Sequence, residues 1–131
     1  MREGVVAVIS SGARVLVIRR ALAVPFPSYW TPVSGRIEPG ERQEDAVVRE
    51  VREEVGIGVS PVRKVWECTS SDGAYWLHWW KVELADENAV LVLDPREVSE
   101  ARWIRPVDLR TLGRVFEADV RFFEQIFPAI E

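Results

Sequence analysis

Three glutamates, Glu50, Glu53 and Glu54, stand at helical spacings of i, i+3 and i+4 within Arg49-Glu50-Val51-Arg52-Glu53-Glu54-Val55-Gly56-Ile57. Those spacings place them on one face of a helix. Like charges so arranged repel and weaken an isolated helix. Glu53 and Glu54 also fall in the last turn before Gly56, where the helix dipole disfavours anions. A chain that carries both costs calls for a counter-charge. A hard divalent cation such as Mg2+ suits the three carboxylates, because it takes oxygen ligands. Arg49 lies four residues before Glu53 and four after Asp45, spacings that allow ion pairs along the helix. The preceding loop, Gly35-Arg36-Ile37-Glu38-Pro39-Gly40-Glu41, lets backbone approach a ligand closely, so its carbonyls can add to a metal shell. Glu41 is expected to open the helix, where its charge is favoured, and to pair with Arg49.

The elements that must position these groups follow from the apolar pattern. Gly4 to Ile9 and Val15 to Ile18 are β-branched, apolar runs around the turn signal Ser10-Ser11-Gly12-Ala13, which predicts a hairpin. Ala21 to Trp30 holds Pro25 and Pro27 and reads as a loop, and Thr31 to Gly40 continues without regular structure. Glu41 to Val55 is the clearest helix, with Val47, Val48, Val51 and Val55 as its apolar stripe and Gly56 as its stop. Val62 to Thr69, Tyr75 to Leu84 and Ala101 to Ile104 read as strands. Asp86 to Pro95 reads as an acidic connection. Pro106 to Leu112 and Phe116 to Ile126 read as helices, the second amphipathic through Phe116, Val120, Phe123 and Phe127. Strands on both sides of one central helix, with a helix at the end, predict an α+β fold or a three-layer sandwich rather than a doubly wound sheet.

Composition narrows the chemistry. A chain of 131 residues with 47% hydrophobic content suits one domain, residues 1–131, with a core of its own. Cys68 is the one cysteine and His78 the one histidine, which excludes a disulfide, a cysteine zinc site and a histidine zinc site within the chain. The net charge of -4 and the lack of a basic run argue against binding to a nucleic-acid backbone. No apolar run reaches membrane-spanning length and the N-terminus lacks a signal-peptide pattern, so a cytoplasmic protein with no membrane partner is expected. Trp66, Tyr75, Trp76, Trp79 and Trp80 read as core or interface residues. Tyr29 and Trp30, in the loop beside the glutamates, are candidates for contact with a ligand. Arg36, and one of Arg19 and Arg20, are candidates for contact with phosphates.

The segment from Gly35 to Ile57 resembles the Nudix box. Gly35, Glu41 and the run Arg49 to Ile57 fill its defined positions, with Val51 and Ile57 at the two bulky aliphatic sites. The resemblance implies an α/β/α sandwich around a mixed β-sheet, with the box as loop-helix-loop. It implies hydrolysis of a nucleoside diphosphate linked to another group, using Mg2+ or Mn2+. Glu50, Glu53 and Glu54 match the family's metal ligands, the Gly35 carbonyl joins them, and one glutamate acts as base towards water. A further glutamate often precedes a tryptophan beyond the box. Glu97, six residues before Trp103, fits that place, with Glu100 as its rival. The flanks point to different substrates. Trp30-Thr31-Pro32 and Glu38-Pro39-Gly40-Glu41 resemble asymmetrical dinucleoside polyphosphate hydrolases, whereas Val33-Ser34-Gly35 is closer to the dihydroneopterin triphosphate branch. ADP-ribose is a further candidate. A nucleotide-binding module without catalysis, or an isomerase of diphosphates with an activated cysteine, is the alternative. A homodimer also agrees with the resemblance.

Overall fold

The structure is a computed structural model and describes residues 1–130. Strand β1 (Arg2–Ser11) and β2 (Arg14–Arg20) form the expected hairpin. Two short strands follow, β3 (Trp30–Thr31) and β4 (Ser34–Arg36), then α1 (Gln43–Val55), β5 (Val59–Thr69), β6 (Tyr75–Leu84) and β7 (Val98–Ile104). The C-terminal part is a 3-10 helix (Pro106–Thr111), α2 (Glu117–Arg121), a π-helical stretch (Phe122–Ile126) and α3 (Phe127–Ile130). The strands make one seven-stranded mixed sheet. Its path runs β3-β2-β1-β6-β5, with β4 also paired to β1 and β7 to β2. β1 and β6 run parallel, with Val5 opposite His78 and Ile9 opposite Val82, and the other pairings are antiparallel.

The pleat sorts apolar residues onto two faces. Val5, Ala7, Ile9, Leu16 and Ile18 face α1 and pack on Ala46, Val47, Val51 and Val55. Val6, Val8, Val15 and Val17 face the other way and pack on Leu109, Val120, Phe122, Phe123 and Phe127. Burial on both sides explains why β1 reads as a continuous apolar run. The result is the expected α/β/α sandwich. Among the described residues no helix is long and apolar enough to cross a membrane.

Several boundaries differ from the sequence pattern. Helix α1 starts at Gln43, two residues after Glu41. Residues 38–41 form a tight turn instead, in which the Glu41 amide donates to the Glu38 carbonyl (2.9 Å) and the Glu38 amide to Glu41 Oε1 (3.0 Å). The stretch Thr31 to Gly40, expected to be irregular, contains the end of β3 and all of β4, each too short to show an alternating pattern. β5 and β7 begin three residues earlier than expected, at Val59 and Val98. Pro106–Thr111 is 3-10 rather than α. Phe116 is outside the final helix and stacks on Tyr29, ring centroids 4.6 Å apart. Within the π-helical stretch Phe122 stacks on Trp79 (4.3 Å), with Phe123 also buried beside it.

Candidate active site

Helix α1 presents its carboxylates because its opposite face is anchored. Val47, Val51 and Val55 are fully buried against the sheet, and Trp80 Nε1 donates to Gln43 Oε1 (2.9 Å) at the first turn. Gly56 ends the helix with φ 72°, and its amide donates to the Arg52 carbonyl (3.0 Å). A Cβ at Gly56 would also crowd the Val92 carbonyl oxygen at 2.8 Å. The segment after β6 docks against this terminus. Val92 and Asp94 donate their amides to the carbonyls of Val55 (2.9 Å) and Glu54 (3.1 Å). Asp94 then accepts from the amides of Glu97 (3.0 Å) and Val98 (2.9 Å), which starts β7. The connection thus carries Glu97 back towards Glu54.

Arg49 is the hub on the outer side. Its guanidinium donates to both oxygens of Glu41 (2.8 and 2.9 Å), to Glu50 Oε1 (2.9 Å), to Glu53 Oε2 (3.2 Å) and to the Arg36 carbonyl (2.9 Å). The expected partnership with Glu41 forms across the turn rather than along the helix. Among the described residues no ion pair joins Arg49 to Asp45. Burial of the fork strengthens such charge-assisted bonds relative to a surface pair.

Glu50 and Glu54 form the inner pair. Glu54 is only 7% exposed. Burial pushes its carboxyl up to about 10, helped by the hydrogen bond and charge of Glu50 and by the charge of Glu97, while Arg20 opposes the shift. Glu50 is also raised, first by burial, although Arg49 pulls it back. Glu50 lies directly on Gly35, where a Cβ would collide with its carboxylate. The loop glycine therefore serves a close approach of carboxylate to backbone. Glu53 is at the rim with its side chain 56% exposed.

Arg20, rather than Arg19, faces the glutamates. Arg19 points to the other face of β2, whereas Arg20 follows Leu16 and Ile18 by strand alternation onto the face that meets α1. Its Nε donates to the Pro25 carbonyl (2.7 Å), its amide donates to the Tyr29 carbonyl (2.9 Å), and burial lowers its pKa against the pull of Glu54 and Glu97. Of the two candidate acids beyond the box, Glu97 belongs to this group. Glu100 pairs with Arg102 (2.7 Å) and lines a different cleft with Arg19. The remaining sequence candidates lie elsewhere. Trp30 is buried at 4% exposure under Arg102, whose guanidinium is 4.8 Å from the ring centroid. Tyr29 stacks on Phe116. The Arg36 side chain is exposed, and it is the backbone carbonyl that meets Arg49.

Among the described residues no three Asp, Glu, His or Cys side chains stand close enough to hold a metal ion as they are. Arg49 occupies oxygens of Glu50 and Glu53, and Glu54 leans on Glu50. The donor set nevertheless fits a hard cation. It is all oxygen, it sets buried Glu54 against half-buried Glu50, and it lies on bare backbone at Gly35. Glu53 is exposed and its side chain pairs with Arg49.

Comparison with known proteins agrees with this architecture. The family model described as the NUDIX domain matches residues 1–126. The NAD-capped RNA hydrolase NudC of Stutzerimonas stutzeri is 34% identical over 66% of this chain and 30% of its own length. The isopentenyl-diphosphate Delta-isomerase of Cutibacterium acnes is 34% identical over 85% of this chain and 63% of its own. The chain thus spans less than two thirds of the length of these curated relatives. The crystal structure of a MutT protein from Methanosarcina mazei Go1 superposes with a TM-score of 0.84 at 20% identity, covering 99% of this chain and 95% of that one. A domain match that takes in both halves of the sheet, the box helix and most of the C-terminal helices makes this chain a member of the Nudix family.

Proposed function

We propose that the chain, as one domain, is a metal-dependent pyrophosphohydrolase acting on a nucleoside diphosphate linked to another group. The observation that carries this reading is the contact of buried Glu54 with Glu50 over Gly35, with Glu53 and Glu97 at the rim. Glu50, Glu53, Glu54 and the Gly35 carbonyl would hold Mg2+ or Mn2+. When bound, such an ion neutralises phosphate oxygens and lowers the pKa of water.

The chain's own residues supply the rest. Arg49 and Glu41 fix the outer edge of the carboxylate group. Arg20 stands beside Glu54 and Glu97 and offers its cationic edge to the phosphate chain. A carboxylate of this group, with Glu97 assisting, takes the proton of the attacking water. The water oxygen bonds to one phosphorus, and the bridging P–O bond breaks with its electron pair on the leaving phosphate. Substrate candidates are dinucleoside polyphosphates, ADP-ribose and dihydroneopterin triphosphate, taken as small molecules in the cytoplasm. A homodimer belongs to the same reading.

A substrate panel with Mg2+ tests the proposal, with products identified by mass. Turnover of at least one nucleotide is expected in the wild type. Glu53→Gln and Glu54→Gln are expected to remove most of it while the circular dichroism spectrum persists. Equal turnover in both variants would refute the assignment. Nucleotide binding without turnover would favour a binding module.

Kinship with diphosphate isomerases brings in a second reading, with Cys68 as the reactive group. Cys68 packs with the core on the face opposite α1, accepts from Trp79 Nε1 (3.4 Å), and has its thiol pushed up by burial. A half-buried neutral thiol on the far face is poorly placed for chemistry at the glutamates. Retained activity in Cys68→Ala is the expected result.

A further inference from the structure

A second cleft, of about 320 Å3, opens where β2, β7 and the segment leading into α2 meet. Arg19, Arg102 and Arg114 line it together with Ser28 and one carboxylate, Glu100. The chain as a whole carries a net charge of -4, so three arginines around one concavity run against its composition. Glu100 answers only one of them, through Arg102 at 2.7 Å. Among the described residues neither Arg19 nor Arg114 has an ion-pair partner within 4.0 Å. Like charges facing one cleft repel, and that cost disappears when an anion enters.

The cleft is also built rather than loose. Its floor is Trp30, buried and covered by the Arg102 guanidinium. One wall is pinned to that floor, because the Trp30 amide donates to the Arg114 carbonyl (2.8 Å) and Trp30 bridges Val115. The facing loop holds two non-glycine residues in the left-handed region, Phe26 (φ 56°) and Ser28 (φ 67°). The edge-to-face packing of Phe26 on Tyr29 and Phe116 keeps that strained loop in place. Backbone strain of this sort persists where surrounding structure over-determines it, and it gathers at ligand sites.

We propose that this cleft binds the phosphoryl group of a small phosphorylated ligand, at a site separate from the glutamate cluster and without need of metal. Arginine forks match phosphate oxygens in geometry as well as charge. The buried Trp30 face is already covered by Arg102, so the site recognises the phosphate rather than a stacked base. Two sources share this chemistry, inorganic phosphate or pyrophosphate and the phosphate of a nucleotide.

Calorimetric titration of the whole chain in EDTA with phosphate, pyrophosphate and AMP tests the proposal. Metal-independent binding is expected. It weakens by about tenfold or more in Arg114→Ala and in Arg19→Ala, as for loss of one charge-assisted bond. It tightens in Glu100→Gln, which releases Arg102, and a gain of affinity cannot come from misfolding. Equal affinity for AMP and phosphate identifies a site that reads the phosphoryl group alone, and tighter AMP binding identifies a nucleotide phosphate. No binding at millimolar concentration in EDTA would overturn the proposal, as would unchanged affinity in both arginine variants. Binding that requires Mg2+ and vanishes in Glu54→Gln would assign the anion to the glutamates and overturn it equally. Failure of hydrolysis in the substrate panel leaves the EDTA titration unaffected.

Discussion

Asp119 provides a quantitative test of how the second core is built. It lies in α2, 6% exposed, and accepts a hydrogen bond from Thr31 Oγ1 at 2.8 Å. Burial pushes its carboxyl up to about 7 from an ordinary value of 3.8, and the Thr31 bond offsets only part of that. The folded chain therefore keeps a proton that the unfolded chain loses across this interval. The associated stability is complete below the unfolded pKa. It drains away as pH rises and is gone once the folded carboxyl has ionised, above about 7. Roughly three pKa units at 1.36 kcal/mol each give a loss of about 4 kcal/mol between pH 4 and pH 8. That is a large share of the stability of a domain this size. Asp119→Asn removes the titration and keeps an acceptor for Thr31. Urea unfolding of both proteins from pH 4 to pH 8.5 supplies the difference curve. Glu54 titrates in both, so its contribution cancels. Cys68, the neighbouring thiol, stays neutral throughout because burial raises its pKa. Any fixed cost of the amide shifts the whole curve without changing its slope. The variant is expected to gain on the wild type by about 4 kcal/mol from the acid to the alkaline end. Parallel stability curves would refute the reasoning that burial sets this carboxyl.

Two substitutions probe the site through its supports. Gly35→Ala puts a Cβ into the Glu50 carboxylate and, with no left-handed φ at that position, leaves the backbone unstrained. A fall in kcat of about 100-fold is expected from displacement of one carboxylate, with about 1–3 kcal/mol lost in urea unfolding. Arg49→Lys keeps the charge and loses the fork that joins Glu41, Glu50, Glu53 and the Arg36 carbonyl. About 2 kcal/mol of stability and most of the activity are expected to go, discounted for partial solvent screening. Full activity in the lysine variant would show that charge alone suffices.

The legible parts of this chain are those whose pattern is local. The valine stripe of α1 and the Gly56 stop follow helical period and backbone conformation, so the helix and its acidic face are visible in sequence. The β1–β2 hairpin is equally plain from its turn residues. Arg20 is not separable from Arg19 by local pattern, because both faces of β2 are apolar and only the distant packing of α1 decides that the Leu16, Ile18 and Arg20 face is the one beside Glu54. Trp30 looked like a loop residue near a ligand because β3 is two residues long, too short to show alternation. The π-helical stretch under Trp79 breaks the helical period on which the amphipathic reading rests. Asp119 gives no local sign of burial, since its partner Thr31 is 88 positions away in the chain.

In the function proposed above, Glu50, Glu53 and Glu54 gather divalent cations for hydrolysis of a pyrophosphate. Crystals soaked in Mn2+ test it most directly, by anomalous scattering. An anomalous peak is expected among these three side chains and the Gly35 carbonyl, with Glu53 released from Arg49, and it is expected to disappear in Glu54→Gln. A soaked crystal with no peak there, or the same peak retained in Glu54→Gln, would contradict it.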